Sequence, residues 1–173
     1  MPRTLGYHFV RSGYGLWLPG DSRGHWSESY DDQIGFYEPH MLHEGDPARQ
    51  RMSSERLKHP PMKLTAVMMD VVEETLDGCM RASDWTIAAA SIESTHIHLA
   101  IPYTAADIHN LFKWIGQQLT KAIHQRTSHS GPVFCKNHWC QLIFDGGHWQ
   151  NTIRYIEQHN VRRGLSERPY CFL

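Results

Sequence analysis

The sequence predicts an α+β domain of ferredoxin-like type: an antiparallel sheet with helices packed mainly on one face, interrupted in its N-terminal half by a long insertion. Three observations predict it. Short aromatic and β-branched runs alternate with amphipathic stripes in the order strand, insertion, helix, strand, strand, helix, strand, helix. The 173 residues, 40% of them hydrophobic, suffice for one buried core, so a single domain is expected over 1–173. No internal repeat or low-complexity tract divides the chain.

Residues 5–10 read as the first strand, with Tyr7 and Phe9 among β-branched neighbours and Gly13 and Gly15 punctuating its end. From 16 to about 61 the pattern changes. This stretch holds LPGDSRGHW and many polar residues, without periodicity except a short helix over about 47–57, and is expected to be a surface insertion. Leu64, Val67, Met68, Val71, Val72 and Leu76 then recur at helical spacing behind a Pro-Pro pair. Two apolar runs, 85–91 and 95–101, flank polar Glu93-Ser94 and read as an antiparallel hairpin closed by Pro102. Thr104 and Asp107 resemble a capping box with Asp in place of Glu. Behind it, Ile108, Leu111, Phe112, Ile115, Leu119, Ala122 and Ile123 form the buried stripe of a helix ending near Arg126. A weaker strand over 139–144 precedes a last helix of about 147–160, which Gly164 stops.

Composition excludes several classes. With 17 Lys+Arg against 18 Asp+Glu the net charge is −1, so the chain is neither a polybasic tail nor an acidic solvating segment. Four scattered cysteines do not form a disulfide scaffold, which fits a reducing, cytoplasmic location. The opening MPRTLGYHFV lacks an apolar signal segment, and no stretch approaches the roughly 20 apolar residues of a membrane span, so no membrane partner is expected. Cys135 and Cys140, with His138 between, lack the second ligand pair of a zinc finger. The His-x-Glu and Pro-Cys-x-x-Cys signatures of nucleobase deaminases are missing. Histidine stands out, 13 residues with six Trp and seven Tyr: side chains that bind metals, move protons and stack on bases.

Two constellations carry the chemistry. His96-Ile97-His98 lies in a predicted strand, where side chains at i and i+2 share a face and can converge on one ion. On the last helix Tyr155 and His159 are four residues apart, on one face, while Trp149, Ile153 and Ile156 form the packing face. If that helix crosses the HIH strand, His96, His98 and His159 supply three metal ligands with Tyr155 beside them. Three imidazoles suit Mn²⁺ or Zn²⁺ better than Mg²⁺. A neighbouring cation favours the phenolate, so Tyr155 becomes a candidate nucleophile for a phosphodiester, and a covalent phosphotyrosine would conserve the bond energy for rejoining.

At these residues the chain resembles the HUH single-strand DNA endonucleases and, within them, the REP-associated tyrosine transposases. HIHLAI is similar to the family's histidine-hydrophobic-histidine strand. YIEQHNVRRGL is similar to its tail motif Tyr-Ile-x-x-Asn-Pro-Val-Arg-Ala-Gly-Leu, matching at Tyr155, Ile156, Val161, Arg162, Gly164 and Leu165. GYHFV with YGLWLPGDSRG resembles the opening of one branch, and GPVF a segment before the final helix. The resemblance covers most of the chain apart from roughly 27–61. It implies one HUH transposase-like domain, Tyr155 as nucleophile, His96 and His98 as ligands of a divalent metal, Mn²⁺ or Mg²⁺, and single-stranded or hairpin DNA as substrate. His159 stands where the family usually carries a polar amide ligand, Asn160 replaces the usual proline, and Glu93-Ser94-Thr95 replaces the Pro-Asn that commonly precedes the first histidine.

A DNA enzyme needs phosphate contacts, and the near-neutral charge makes distribution decisive. About half of the acids fall before Leu57, whereas Arg154, Arg162, Arg163 and Arg168 cluster at the proposed catalytic end, joined by Lys113, Lys121, Arg126 and Lys136. Arg162, Arg163, Arg154, Lys113 and Lys136 are the expected DNA contacts. Trp17, Trp26 and Trp139 are candidates to stack on unpaired bases, while Trp149 belongs to the core. Two alternatives stay open: a DNA-binding protein that descends from such an enzyme and recognises hairpins without turnover, and a three-histidine metalloenzyme acting on a small molecule. So does the choice between a monomer and a homodimer whose last helix closes over the partner's strand.

Overall fold

The computed structural model describes residues 3–26, 42–136 and 138–173. Their elements are β1 (Gly6–Ser12), β2 (His25–Trp26), β3 (Leu42–His43), α1 (Pro47–Glu55), α2 (Ala66–Arg81), β4 (Ala89–Ile92), β5 (His96–Pro102), α3 (Ile108–Arg126), β6 (Trp139–Ile143) and α4 (Gly146–Arg162). Strands β4-β5-β1-β6, in that order, form one sheet in which every pairing is antiparallel. With α2 and α3 as the two helical crossovers, this is the expected ferredoxin-like arrangement.

Alternation along the strands builds two unequal faces. Tyr7 and Phe9 of β1, Ala90 and Ile92 of β4, and Ile97, Leu99 and Ile101 of β5 point to one side. There they pack against Met68, Val71, Val72 and Leu76 of α2 and Leu111, Phe112, Ile115, Leu119 and Ile123 of α3. This is the main core, and each fully buried Leu, Ile or Phe contributes about 1.5–3 kcal/mol of apolar transfer free energy. The expectation of helices mainly on one face is met by α2 and α3. The last helix takes the other face, and the site depends on that.

α4 seats Ile153 and Ile156 on Ala89 and Ala100, flanked by Ala88 and Trp149. Small residues make this close approach feasible: a Cβ on Gly6 would stand 2.5 Å from the Trp149 ring. The Asp145 side chain caps the helix by accepting from the His148 N–H at 2.8 Å. Gly164, at φ 77°, turns the chain out of it.

The tail then folds back. Asn160, fully buried, donates through Nδ2 to the carbonyls of Ala90 and Glu167, both at 2.9 Å, and so ties α4 to β4 and to the tail. Tyr170 is buried, donates to Asn160 Oδ1 and accepts from the Ile92 N–H at 2.7 Å. The amide that replaces the resembling family's proline is therefore a three-way clasp.

Local expectations differ from the structure at three points. Val67 is 59% exposed, on the outer face of α2. Asp107, not Thr104, caps α3, since its side chain accepts from the Asn110 N–H at 2.8 Å while Thr104 accepts only from Ala106 before the helix. The first hairpin strand is shorter than the apolar run, because Trp85 and Ile87 are buried before β4 begins at Ala89. In the insertion the short helix is present as α1, capped by Asp46 and burying only Ser53, as a surface element does. No helix among the described residues is long and apolar enough to cross a membrane.

Candidate active site

Strand β5 presents His96 and His98 on the α4 side, since Ile97 and Leu99 occupy the core phase. α4 runs from Trp149, near Gly6, to its C-terminus beside Ile92, and brings His159 over those two histidines. Ring centroids of His98 and His159 stand 4.6 Å apart, and those of His96 and His98 stand 4.5 Å apart. The last helix thus closes over the HIH strand of its own chain. One ligand atom each from Glu93, His96, His98 and His159 lies within 4.8 Å of every other. Among the described residues this is the single group of three or more potential ligand side chains, so Cys135, His138 and Cys140 form none. The Cys135 thiol instead donates to the Gly13 carbonyl, and His138 packs on Phe9 and Phe112.

Hydrogen bonding defines which atoms look inward. His96 Nδ1 is 2.8 Å from Thr95 Oγ1, His98 Nδ1 is 3.0 Å from His8 Nε2, and His159 Nδ1 is 2.5 Å from Glu93 Oε1. All three Nδ1 atoms are engaged outward. The Nε2 atoms of His98 and His159 are buried without any partner, and His96 Nε2 faces Glu93 Oε1 at 3.6 Å. A buried polar atom left unpaired costs about 1–3 kcal/mol, so two at one focus call for a ligand. Imidazole nitrogens beside a carboxylate fit a divalent transition ion.

Electrostatics agree with neutral, ligating imidazoles. Burial, reinforced by His96, His8 and His159, pushes His98 down to about 2. Burial, with His159 and His148 adding to it, pushes His8 down to about 4. His96 is also lowered, mainly by burial, against the opposing pull of Glu93. Neutral rings are the form that binds metal.

Tyr155 completes the group. Its ring meets His159 edge-on at 4.7 Å, His98 at 5.6 Å and His8 at 6.0 Å. It is 47% exposed, open to an incoming strand. Trp139 of β6 packs edge-on against His8 at 5.2 Å and is 39% exposed, so an aromatic face stands near the tyrosine. Trp149 is in the packing layer, and Trp17 donates to the Gly24 carbonyl under the Arg23 guanidinium, in the insertion. The side chain of Trp26 and residues 27–41 lie outside the described residues.

Of the expected DNA contacts, Arg154 and Arg162 are exposed on α4, and Arg162 is seven residues beyond Tyr155 on the same stripe. Arg163, at the C-cap, donates to the Ile92 carbonyl at 2.5 Å. Lys136 is exposed in the segment joined to Ser12, opposite His96 in register. Lys113 is exposed on α3, across the sheet from Tyr155, and is not brought to the cluster.

Sequence reasoning missed two residues. In sequence Glu93 belongs to a polar turn and His8 is one position of the first strand. The signal for His8 was its phase: it alternates with Tyr7 and Phe9 and therefore faces α4.

No protein-family model matches the sequence, and no curated protein matches it. Solved structures do. A REP-associated tyrosine transposase bound to a REP hairpin superposes with TM-score 0.54 at 12% identity, covering 95% of this chain and 72% of that one. A protein assigned as a transposase from Deinococcus radiodurans gives TM-score 0.47 at 11% identity, covering 91% of this chain and 92% of that one. The first likeness establishes the shared fold.

Proposed function

We propose that this protein is a metal-dependent endonuclease and strand transferase for single-stranded DNA, of the REP-associated tyrosine transposase type, acting at hairpins through a 5′-phosphotyrosine on Tyr155. The observation that carries it is the pair of buried, partnerless Nε2 atoms of His98 and His159 beside a half-exposed tyrosine. The fold shared with a hairpin-bound transposase supports the choice of DNA as substrate.

His96, His98 and His159 hold the ion, with Glu93 within its reach. A bound divalent ion supplies Lewis-acid polarisation of a phosphodiester oxygen. Tyr155 Oη attacks phosphorus and gives up its proton. The P–O3′ bond breaks, the leaving 3′ oxygen takes up a proton, and the 5′ phosphate stays on the tyrosine. Attack by a second 3′ hydroxyl reverses these events and rejoins DNA without a nucleotide cofactor. Because Tyr155 rides on the helix that carries His159, nucleophile and ligand move as one unit, and little reorganisation separates binding from attack.

Arg154, Arg162, Arg163 and Lys136 contact the backbone phosphates, and Trp139 stacks on an unpaired base. Lys113 is reached only by DNA that continues around the sheet. The test is cleavage of end-labelled hairpin oligonucleotides in Mn²⁺, Mg²⁺ or EDTA. Metal-dependent nicking that Tyr155→Phe abolishes is expected. Tight hairpin binding with no nicking in any metal would identify a DNA-binding descendant instead, and neither binding nor nicking would overturn the assignment to DNA.

A further inference from the structure

Two of the chain's departures from the resembling family's pattern touch each other. His159 stands where an amide ligand is usual, and Glu93 lies in the segment that replaces Pro-Asn. In space Glu93 Oε1 is 2.5 Å from His159 Nδ1. We propose that Glu93 is the positioning residue for His159: it accepts the Nδ1–H, fixes the ring in the tautomer whose Nε2 lone pair faces the ion, and makes histidine usable at that position. The proposal rests on the metal reading of this cluster but on none of the DNA chemistry.

The local structure places Glu93 for this. It opens the tight connection between β4 and β5, with its N–H donating to the His96 carbonyl at 2.9 Å, so its side chain comes up beside the HIH strand. Both partners are largely withdrawn from water, Glu93 at 19% and His159 at 15% side-chain exposure. An amide ligand presents its carbonyl whatever its neighbours do. An imidazole presents either nitrogen, and only an acceptor on one commits the other. His96 and His98 face Thr95 Oγ1 and His8 Nε2, groups that can donate or accept, whereas the Glu93 carboxylate facing His159 only accepts. With His159 Nδ1–H donating, its Nε2 is the buried atom without a partner. A carboxylate behind the ring also raises the donor strength of Nε2, which favours a transition ion such as Mn²⁺ over Mg²⁺.

The test combines two readouts on the full chain. Long-range ¹H–¹⁵N NMR of the metal-free protein should find His159 protonated at Nδ1, and Glu93→Ala should lose that preference. Titration with Mn²⁺, followed by electron paramagnetic resonance, should show Glu93→Ala weakening affinity about 10- to 100-fold. Glu93→Gln keeps a carbonyl acceptor and should restore the tautomer and part of the affinity. Thermal melting within about 2 °C of the unsubstituted protein would exclude unfolding as the cause. If His159 keeps its tautomer in Glu93→Ala while Gln and Ala lose affinity equally, Glu93 is a direct ligand and the proposal is overturned. Unchanged affinity in Glu93→Ala overturns it too, leaving the metal site standing. Failure of the unsubstituted protein to bind Mn²⁺ at all overturns both this proposal and the metal reading.

Discussion

Asn160→Ala isolates the contact that fixes the last helix, and with it the site, against the sheet. The Asn160 amide is fully buried and donates at 2.9 Å to both Ala90 and Glu167, while its carbonyl receives the Tyr170 hydroxyl at 3.4 Å. Truncation removes two good hydrogen bonds at about 1 kcal/mol each and strands two carbonyls and a buried phenol, any of which costs about 1–3 kcal/mol if water does not reach it. Partial relief by water leaves an expected loss of about 3 kcal/mol. A chain of this size melts about 2–4 °C lower per kcal/mol, so the melting temperature should fall by about 6–12 °C. The assay is thermal unfolding followed by circular dichroism, with hydrogen exchange at the tail as a second probe. Exchange should rise first in residues after Gly164, where Asn160 holds the Glu167 carbonyl and orients the Tyr170 hydroxyl that accepts from Ile92 of β4. A shift below about 2 °C would refute the assignment of Asn160 as the clasp.

Three further outcomes follow. His8 and His98 titrate lower in the folded chain than the ordinary histidine value near 6.5, so the unfolded chain binds more protons in acid. Stability is therefore full above about pH 6.5 and falls as pH drops toward 4, by at most about 1.4 kcal/mol per pH unit for each group; a flat melting temperature over that window contradicts buried neutral rings. Arg162→Gln should weaken hairpin binding evenly across sequences and lower the salt slope by about one, measured by fluorescence anisotropy from 50 to about 200 mM salt, and an unchanged slope removes Arg162 from the phosphate contacts. Trp139→Ala should cost about 1–3 kcal/mol in affinity for DNA with an unpaired base and little for duplex, and equal losses on both would mean that the ring serves the fold.

What could be read from the chain beforehand follows from periodicity. His96 and His98 share a face because strand side chains repeat every two residues, and Tyr155 and His159 share one because helical neighbours recur at four. Both held in the structure. The stripes of α2 and α3 were legible for the same reason, with Val67 the exception because an apolar residue at the edge of a stripe looks the same in sequence whether it faces core or water. That α4 meets β5 of its own chain was not legible, since no local pattern specifies which face of a sheet, or which chain's sheet, a helix covers. For that reason the separation of Lys113 from the site was not legible. Glu93 acts through a partner 66 residues away and had no local signature, whereas strand phase puts His8 on the α4 face but does not specify its partner 90 residues away.

In the proposed reaction Tyr155 becomes covalently joined to the 5′ phosphate of a nicked DNA strand. Incubation with a hairpin oligonucleotide and Mn²⁺, followed by nuclease trimming, trypsin digestion and mass spectrometry, tests it directly, because cleavage after Arg154 and Arg162 releases Tyr155 in one short peptide. This peptide should carry a nucleotide on Tyr155, from the DNA 3′ of the nick, only when metal is present. A nucleotide found on another residue, or nicking that leaves every peptide unmodified under conditions that trap the adduct, would contradict it.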